Sequence, residues 1–180
     1  MIIAESSKQP KQKRKESMKT ATPTKLQLIS EGWTAADYLV EFKRLGICVC
    51  STTEAVILKG FDGSKNGTIF DVTVMQSCDE KEGVTLLSIY HKMDDQSLWE
   101  PPLEVALLLR KRLSDGDVED MGLKSIEVLH RPVTLDRASK IPGMFHLTLS
   151  KGEIGVSGTH SFGTRYPKDG IAVLNRNVRQ

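Results

Sequence analysis

No apolar run in this 180-residue chain exceeds five residues, and the longest is residues 105–109. A membrane-spanning helix needs about 20, so none is expected. The opening Met1-Ile2-Ile3-Ala4-Glu5 has no apolar stretch of signal-peptide length, which argues against secretion by that route. Cysteine is scarce. Cys48, Cys50 and Cys78 are an odd number and too few to staple a small fold, so a reducing, intracellular and cytoplasmic setting is expected. Aromatic residues make up 6% of the chain, and none lies in the first 25 residues. That segment has only six apolar residues, too few to offset the entropy of ordering it. A disordered arm is expected over 1–25, followed by a single domain over 26–180.

What is present is a separation of charge. The net charge of +2 conceals it. Residues 1–25 carry seven basic groups, Lys8, Lys11, Lys13, Arg14, Lys15, Lys19 and Lys25, against two acidic ones, a net of +5. Residues 26–150 carry 13 basic and 19 acidic groups, a net of −6. Residues 151–180 return to +3, with five basic and two acidic. The tract Lys11-Gln12-Lys13-Arg14-Lys15 is dense enough to attract a polyanion, because each neutralised phosphate releases counterions. A solubilising tail and a nuclear-import signal are the alternatives for the same residues. Met18 as an alternative start would delete the tract.

Hydrophobic content of 39% beside 27% charged residues permits a packed core. The expected class is α+β, an antiparallel sheet with two main helices. Thr34 with Asp37 makes a near capping box for a helix over 34–45, ended by Gly46. A second helix over 103–113 follows Pro101-Pro102. Pro23 suggests a short helix or turn over 25–30. Strands are expected at 47–50, 55–61, 68–77 and 84–93, the last three as a meander linked by turns at 62–67 and 79–83. Residues 114–122 read as an acidic loop. A strand over 123–129 is stopped by Pro132, Lys151-Gly152 marks a hairpin, and 170–174 makes a last strand.

Several constellations bear on chemistry. Cys48-x-Cys50 with Cys78 and His91 or His130 could ligate zinc, but the spacing suits two core thiols better. Residues 115–119 alternate acidic groups like a calcium loop. The sixth position is Asp120 instead of glycine and the twelfth is Ile126 instead of glutamate, so no metal is expected. Gly155-Val156-Ser157-Gly158-Thr159 departs from a nucleophile elbow at its last place. The same stretch supports a different alternative. Ser157, Thr159, His160 and Arg165, among the glycines at 152, 155, 158 and 163, would form an anion loop and give a small enzyme or ligand-binding domain. No complete catalytic motif and no cofactor signature appears.

The order of a lysine-rich arm followed by an α+β body, with a strand (84–93) feeding a helix (103–113), resembles the matrix proteins of negative-strand RNA viruses, particularly the rhabdoviruses. The chain departs from that family in having no proline-tyrosine late motif, of which Glu100-Pro101-Pro102-Leu103 is only a partial echo. The resemblance is one of layout. It implies a virion structural protein that condenses ribonucleoprotein and contacts the inner membrane face. Together with the charge separation, it makes a non-enzymatic, self-associating, polyanion-binding assembly protein the leading expectation. Nucleic acid or ribonucleoprotein is the expected partner, and an anionic membrane surface is the other candidate.

Overall fold

The computed structural model describes residues 23–76, 84–135, 144–159, 165–166 and 170–175. Within them the chain runs β1 (Thr24–Ile29), α1 (Ala35–Arg44), β2 (Cys48–Val49), α2 (Ser51–Gly60), β3 (Ile69–Gln76), β4 (Val84–Thr85), α3 (Leu86–Asp95), β5 (Leu98–Trp99), α4 (Leu103–Arg112), α5 (Asp115–Asp120), β6 (Ile126–Thr134), β7 (Met144–Ser150), β8 (Glu153–Thr159), β9 (Arg165–Tyr166) and β10 (Gly170–Asn175). The class is α+β, with a mostly antiparallel sheet. The main sheet has the order β1-β3-β10-β6-β7-β8-β2, with β5 pairing β10, and β4 and β9 form a separate two-stranded sheet. The β10–β6 and β2–β8 pairs are parallel.

The sheet buries both faces because successive strand residues point to opposite sides. Val72, Val74, Ala172, Val128, Leu147 and Ile154 belong to the larger core, which Tyr38, Phe42, Val56 and Ile57 from α1 and α2 also enter. α4 runs through this core, with every residue from Leu103 to Arg110 buried. Met75, Ile171, Val173 and Leu129 occupy the opposite face, under Ile89 and Met93 of α3.

The expected capping box is present. The Thr34 hydroxyl accepts from the Asp37 N–H, and the Asp37 carboxylate accepts from the Thr34 N–H. Several other expectations are corrected. Residues 84–93 form only two residues of strand before α3 begins. Ile89 and Met93 sit four apart, so both reach the second core from a helix. This change removes the strand-into-helix order on which the matrix-protein layout partly rested. Residues 55–61 also become helix. The β-branched composition suggests a strand, but Thr53, Val56 and Ile57 fall on one helical stripe and are buried. The meander expected over 55–93 does not form, the consecutive antiparallel strands being β6, β7 and β8 instead, and four ten-residue helices stand where two were expected.

Of residues 25–30, the first five lie in β1 and Ser30 follows it, with Leu28 buried and Leu26 partly buried between exposed Lys25, Gln27 and Ile29. The sheet therefore includes Thr24 and Lys25, inside the segment expected to be arm. The acidic loop contains α5, whose first turn is capped reciprocally by Ser114 and Asp117. Carboxylates there face the positive end of the helix dipole. β6 continues through Pro132 because the ladder is already irregular: its register to β7 shifts between Val128 and Val133. His130 fills that irregularity. Its Nε2 accepts from the Leu147 N–H at 2.9 Å, and its Nδ1 lies 2.8 Å from the Arg131 carbonyl. The segment 62–67 links a helix to a strand instead of closing a hairpin, and the 79–83 turn lies outside the described residues.

Candidate functional site

Of the basic candidates, Lys25 lies within the described residues. Lys8, Lys11, Lys13, Arg14, Lys15 and Lys19 lie outside them. Lys25 is exposed on β1 opposite Thr73, and β1 is one edge of the main sheet. The basic tract therefore joins the body at a sheet edge, through Pro23. What fixes that edge is visible. Ser30, directly after β1, exchanges backbone bonds with the 67–68 turn, accepting from Gly67 N–H and donating to Thr68 carbonyl. Its hydroxyl donates to Glu104 Oε1 at 2.7 Å. Glu104 is fully buried in α4 and also accepts from the Tyr38 hydroxyl at 3.1 Å and the Ser64 N–H at 3.0 Å. One carboxylate thus ties the root of the arm to α1, to the 61–68 loop and to the central helix. Burial, then the neighbouring Glu104 charge and hydrogen bond, push the Tyr38 phenol well above its ordinary range.

Four cations of the body are engaged with the body's own acceptors. Arg44 meets Glu41 in a two-point pair at 2.6 and 2.7 Å. Lys111 pairs with Glu31 at 2.5 Å and lies 3.7 Å from the centre of the Trp33 ring, so ion-pair and cation–π attraction share one ammonium. Arg112 donates to the Gln27 carbonyl on β1. Arg110, almost fully buried, donates to Asp115 at 2.9 Å. Asp115 also accepts from the Gly152 N–H at 2.9 and 3.1 Å. That backbone bond, followed by the Arg110 hydrogen bond, holds the Asp115 carboxyl below its usual range.

The anion-loop alternative meets a different geometry. Ser157 and Thr159 are strand residues of β8, opposite His146 and Met144 of β7. Arg165 pairs with Thr85 in the small sheet. His160 lies outside the described residues. Gly155 and Gly158 oppose Thr148 and Phe145 in the β7–β8 ladder, and the Gly152 N–H is taken by Asp115. The stretch through Thr159 is therefore not a loop.

The cysteines are corrected as well. Cys48 and Cys50 are exposed free thiols rather than core residues. They line a groove of about 710 Å³ between α1, β2, α2 and the start of β8. Among the described residues no group of three or more histidine, cysteine or acidic side chains could hold a metal ion. Cys78 lies outside these residues, and His91 is exposed on α3. The sequence concealed the groove because Cys50 reads as strand and is in fact the residue immediately before α2. The β-branched run after it hid the helix. His130 is buried, which pushes its pKa down.

No helix among the described residues is long and apolar enough to cross a membrane. No protein-family model, curated protein or solved structure matches the chain.

Proposed function

We propose that this chain is a non-enzymatic assembly protein that grips a polyanion, RNA within a ribonucleoprotein, through its basic N-terminal tract. It acts inside the cell in the manner of a viral matrix protein, and its copies self-associate. The observation that carries this reading is the charge separation, +5 over residues 1–25 against −6 over 26–150. The internal pairing of Arg44, Arg110, Lys111 and Arg112 supports it, because those four cations are already engaged with the body's own acceptors. The same tract would attract an anionic membrane surface, which the test below separates from RNA. The anion-loop alternative around Ser157–Arg165 gains no support from a strand in which the glycines are already laddered.

The test is removal of residues 1–22, which stops before β1 and deletes six basic and two acidic groups. RNA binding, followed by light scattering across a salt series, should fall sharply on truncation. In the intact chain, log K should decline with log salt at a slope of up to roughly −4, from about 0.7 per neutralised phosphate on single strands. Far-UV circular dichroism should show the fold retained. Equal RNA binding by the truncated protein at low salt would overturn the assignment. Tight binding to acidic vesicles with none to RNA would replace the partner.

A further inference from the structure

We propose that the groove beside α2 is a thiol-modification site in which Cys50 is the nucleophile, Cys48 is the second thiol on the same wall, and the reagent is a small zwitterionic amino-acid disulfide. This goes beyond the polyanion reading and does not depend on it.

Two cysteines, spaced two apart, converge on one cavity of about 710 Å³ and are both exposed. They are placed differently within it. Cys48 is a strand residue paired to Glu153. Cys50 is the residue before the first turn of a ten-residue helix, in extended conformation at φ −77° and ψ 162°. Its Sγ lies 3.1 Å from the Thr53 hydroxyl. It makes no full capping bond. The Thr53 hydroxyl, then the N–H groups of Thr53 and Thr52, still hold the Cys50 thiol below its ordinary range. A thiolate at a helix N-terminus is the reactive form of cysteine.

The rim selects the reagent. Lys43 comes from α1, Glu54 from α2 and Glu153 from β8. One cation and two carboxylates around a pair of thiols suit a molecule that carries both carboxylate and ammonium groups next to its sulfur. In the reaction, the Cys50 thiolate attacks one sulfur of the disulfide. The S–S bond breaks as the new Cys50–S bond forms, and the other half leaves as a thiolate that takes a proton from solvent. The protein thiol is oxidised and one half of the reagent is reduced, so no further oxidant is needed.

The experiment uses the full reduced chain, with Cys48 as an internal reference. Isotope-coded iodoacetamide, read by peptide mass spectrometry, should label Cys50 about threefold or more faster than Cys48 at pH 7. The gain in thiolate outweighs the loss in intrinsic nucleophilicity. Cystine should add to Cys50 first. Thr53→Val should bring the Cys50 rate toward that of Cys48, and Cys50→Ser should leave the Cys48 rate unchanged. If Cys48 is labelled as fast as Cys50 in the unmodified chain, the proposal is wrong. If Cys50 alkylates selectively but forms no mixed disulfide, the assigned reagent class is wrong.

Discussion

Replacing Glu104 should loosen the root of the N-terminal arm more than any exposed substitution. The carboxylate is fully buried and has three donors, the Ser30 hydroxyl, the Tyr38 hydroxyl and the Ser64 N–H. A buried donor left without an acceptor costs about 1–3 kcal/mol. Glu104→Ala strands three of them and opens a void in the packed helix α4. Relaxation and water entry recover part of the loss, so the expected destabilisation is about 4 kcal/mol. Glu104→Gln retains one acceptor oxygen for Ser30 and Tyr38 but turns an amide toward the Ser64 N–H, donor against donor. About 2 kcal/mol is expected there, the worth of one hydrogen bond to a charged group. Urea unfolding followed by Trp33 and Trp99 fluorescence measures both, and the midpoints should fall in the order wild type, Gln, Ala. Since Ser30 follows β1 directly, hydrogen exchange should also rise in the strand 24–29 before it rises in β6 and β7. The reasoning fails if both variants unfold within about 0.5 kcal/mol of wild type, the range of ordinary surface substitutions.

Two further outcomes are fixed by single contacts. A Cβ on Gly60 would lie 2.2 Å from Val133 Cγ2 and 3.0 Å from Leu103 Cδ1. Gly60→Ala should therefore destabilise by about 1–3 kcal/mol through overpacking, despite the better helix propensity of alanine, and a thermal shift upward would refute the contact. His130 should be neutral near pH 6.5, protonated on Nδ1 and bare on Nε2, since Nε2 must accept from the Leu147 N–H. Its folded pKa is lowered by burial from 6.5, so the unfolded chain binds the proton more readily. That contribution to stability is complete above about pH 6.5 and is lost as pH falls below it. Imidazole ¹⁵N NMR showing ordinary titration at 6.5 in the folded protein would remove the argument.

The elements legible in the sequence are those whose local chemistry and tertiary packing agree. Thr34 and Asp37 announce α1 because the cap is a property of four adjacent residues. Residues 103–112 announce α4 because an apolar run between prolines and a basic end has few other homes. Lys151-Gly152 announces the β7–β8 turn in the same way, with Gly152 at φ +70°. The failures share a cause too. At 84–93 a two-residue period can be drawn through Leu87, Ile89 and Met93, and a three-to-four-residue period through Leu86, Ile89 and Met93. Only the existence of a second core on the far side of the sheet decides between them. At 51–60 the β-branched residues favour a strand by themselves, and the docking of Val56, Ile57 and Gly60 against α4 and β6 overrides that preference. The groove was hidden for this reason: its two thiols belong to a strand end and a helix start, and their convergence is a tertiary fact.

Charge was read correctly as a count, but its meaning depends on the fold. A net of −6 over residues 26–150 would permit a body with separate acidic and basic patches. The structure instead spends cations locally: Arg44 on Glu41, Arg110 on Asp115, Lys111 on Glu31 and Arg112 on the edge carbonyl of Gln27. The last two stand beside β1, the strand from which the basic tract departs. Local pairing at short range weakens the field these four groups would otherwise project, and exposed charge acts only out to a Debye length of about 8 Å at physiological salt. A polyanion therefore gains less from Lys111 and Arg112 than from the net +5 of residues 1–25. For that reason Lys111→Ala should change stability more than RNA affinity, while charge removal over 11–15 should do the reverse.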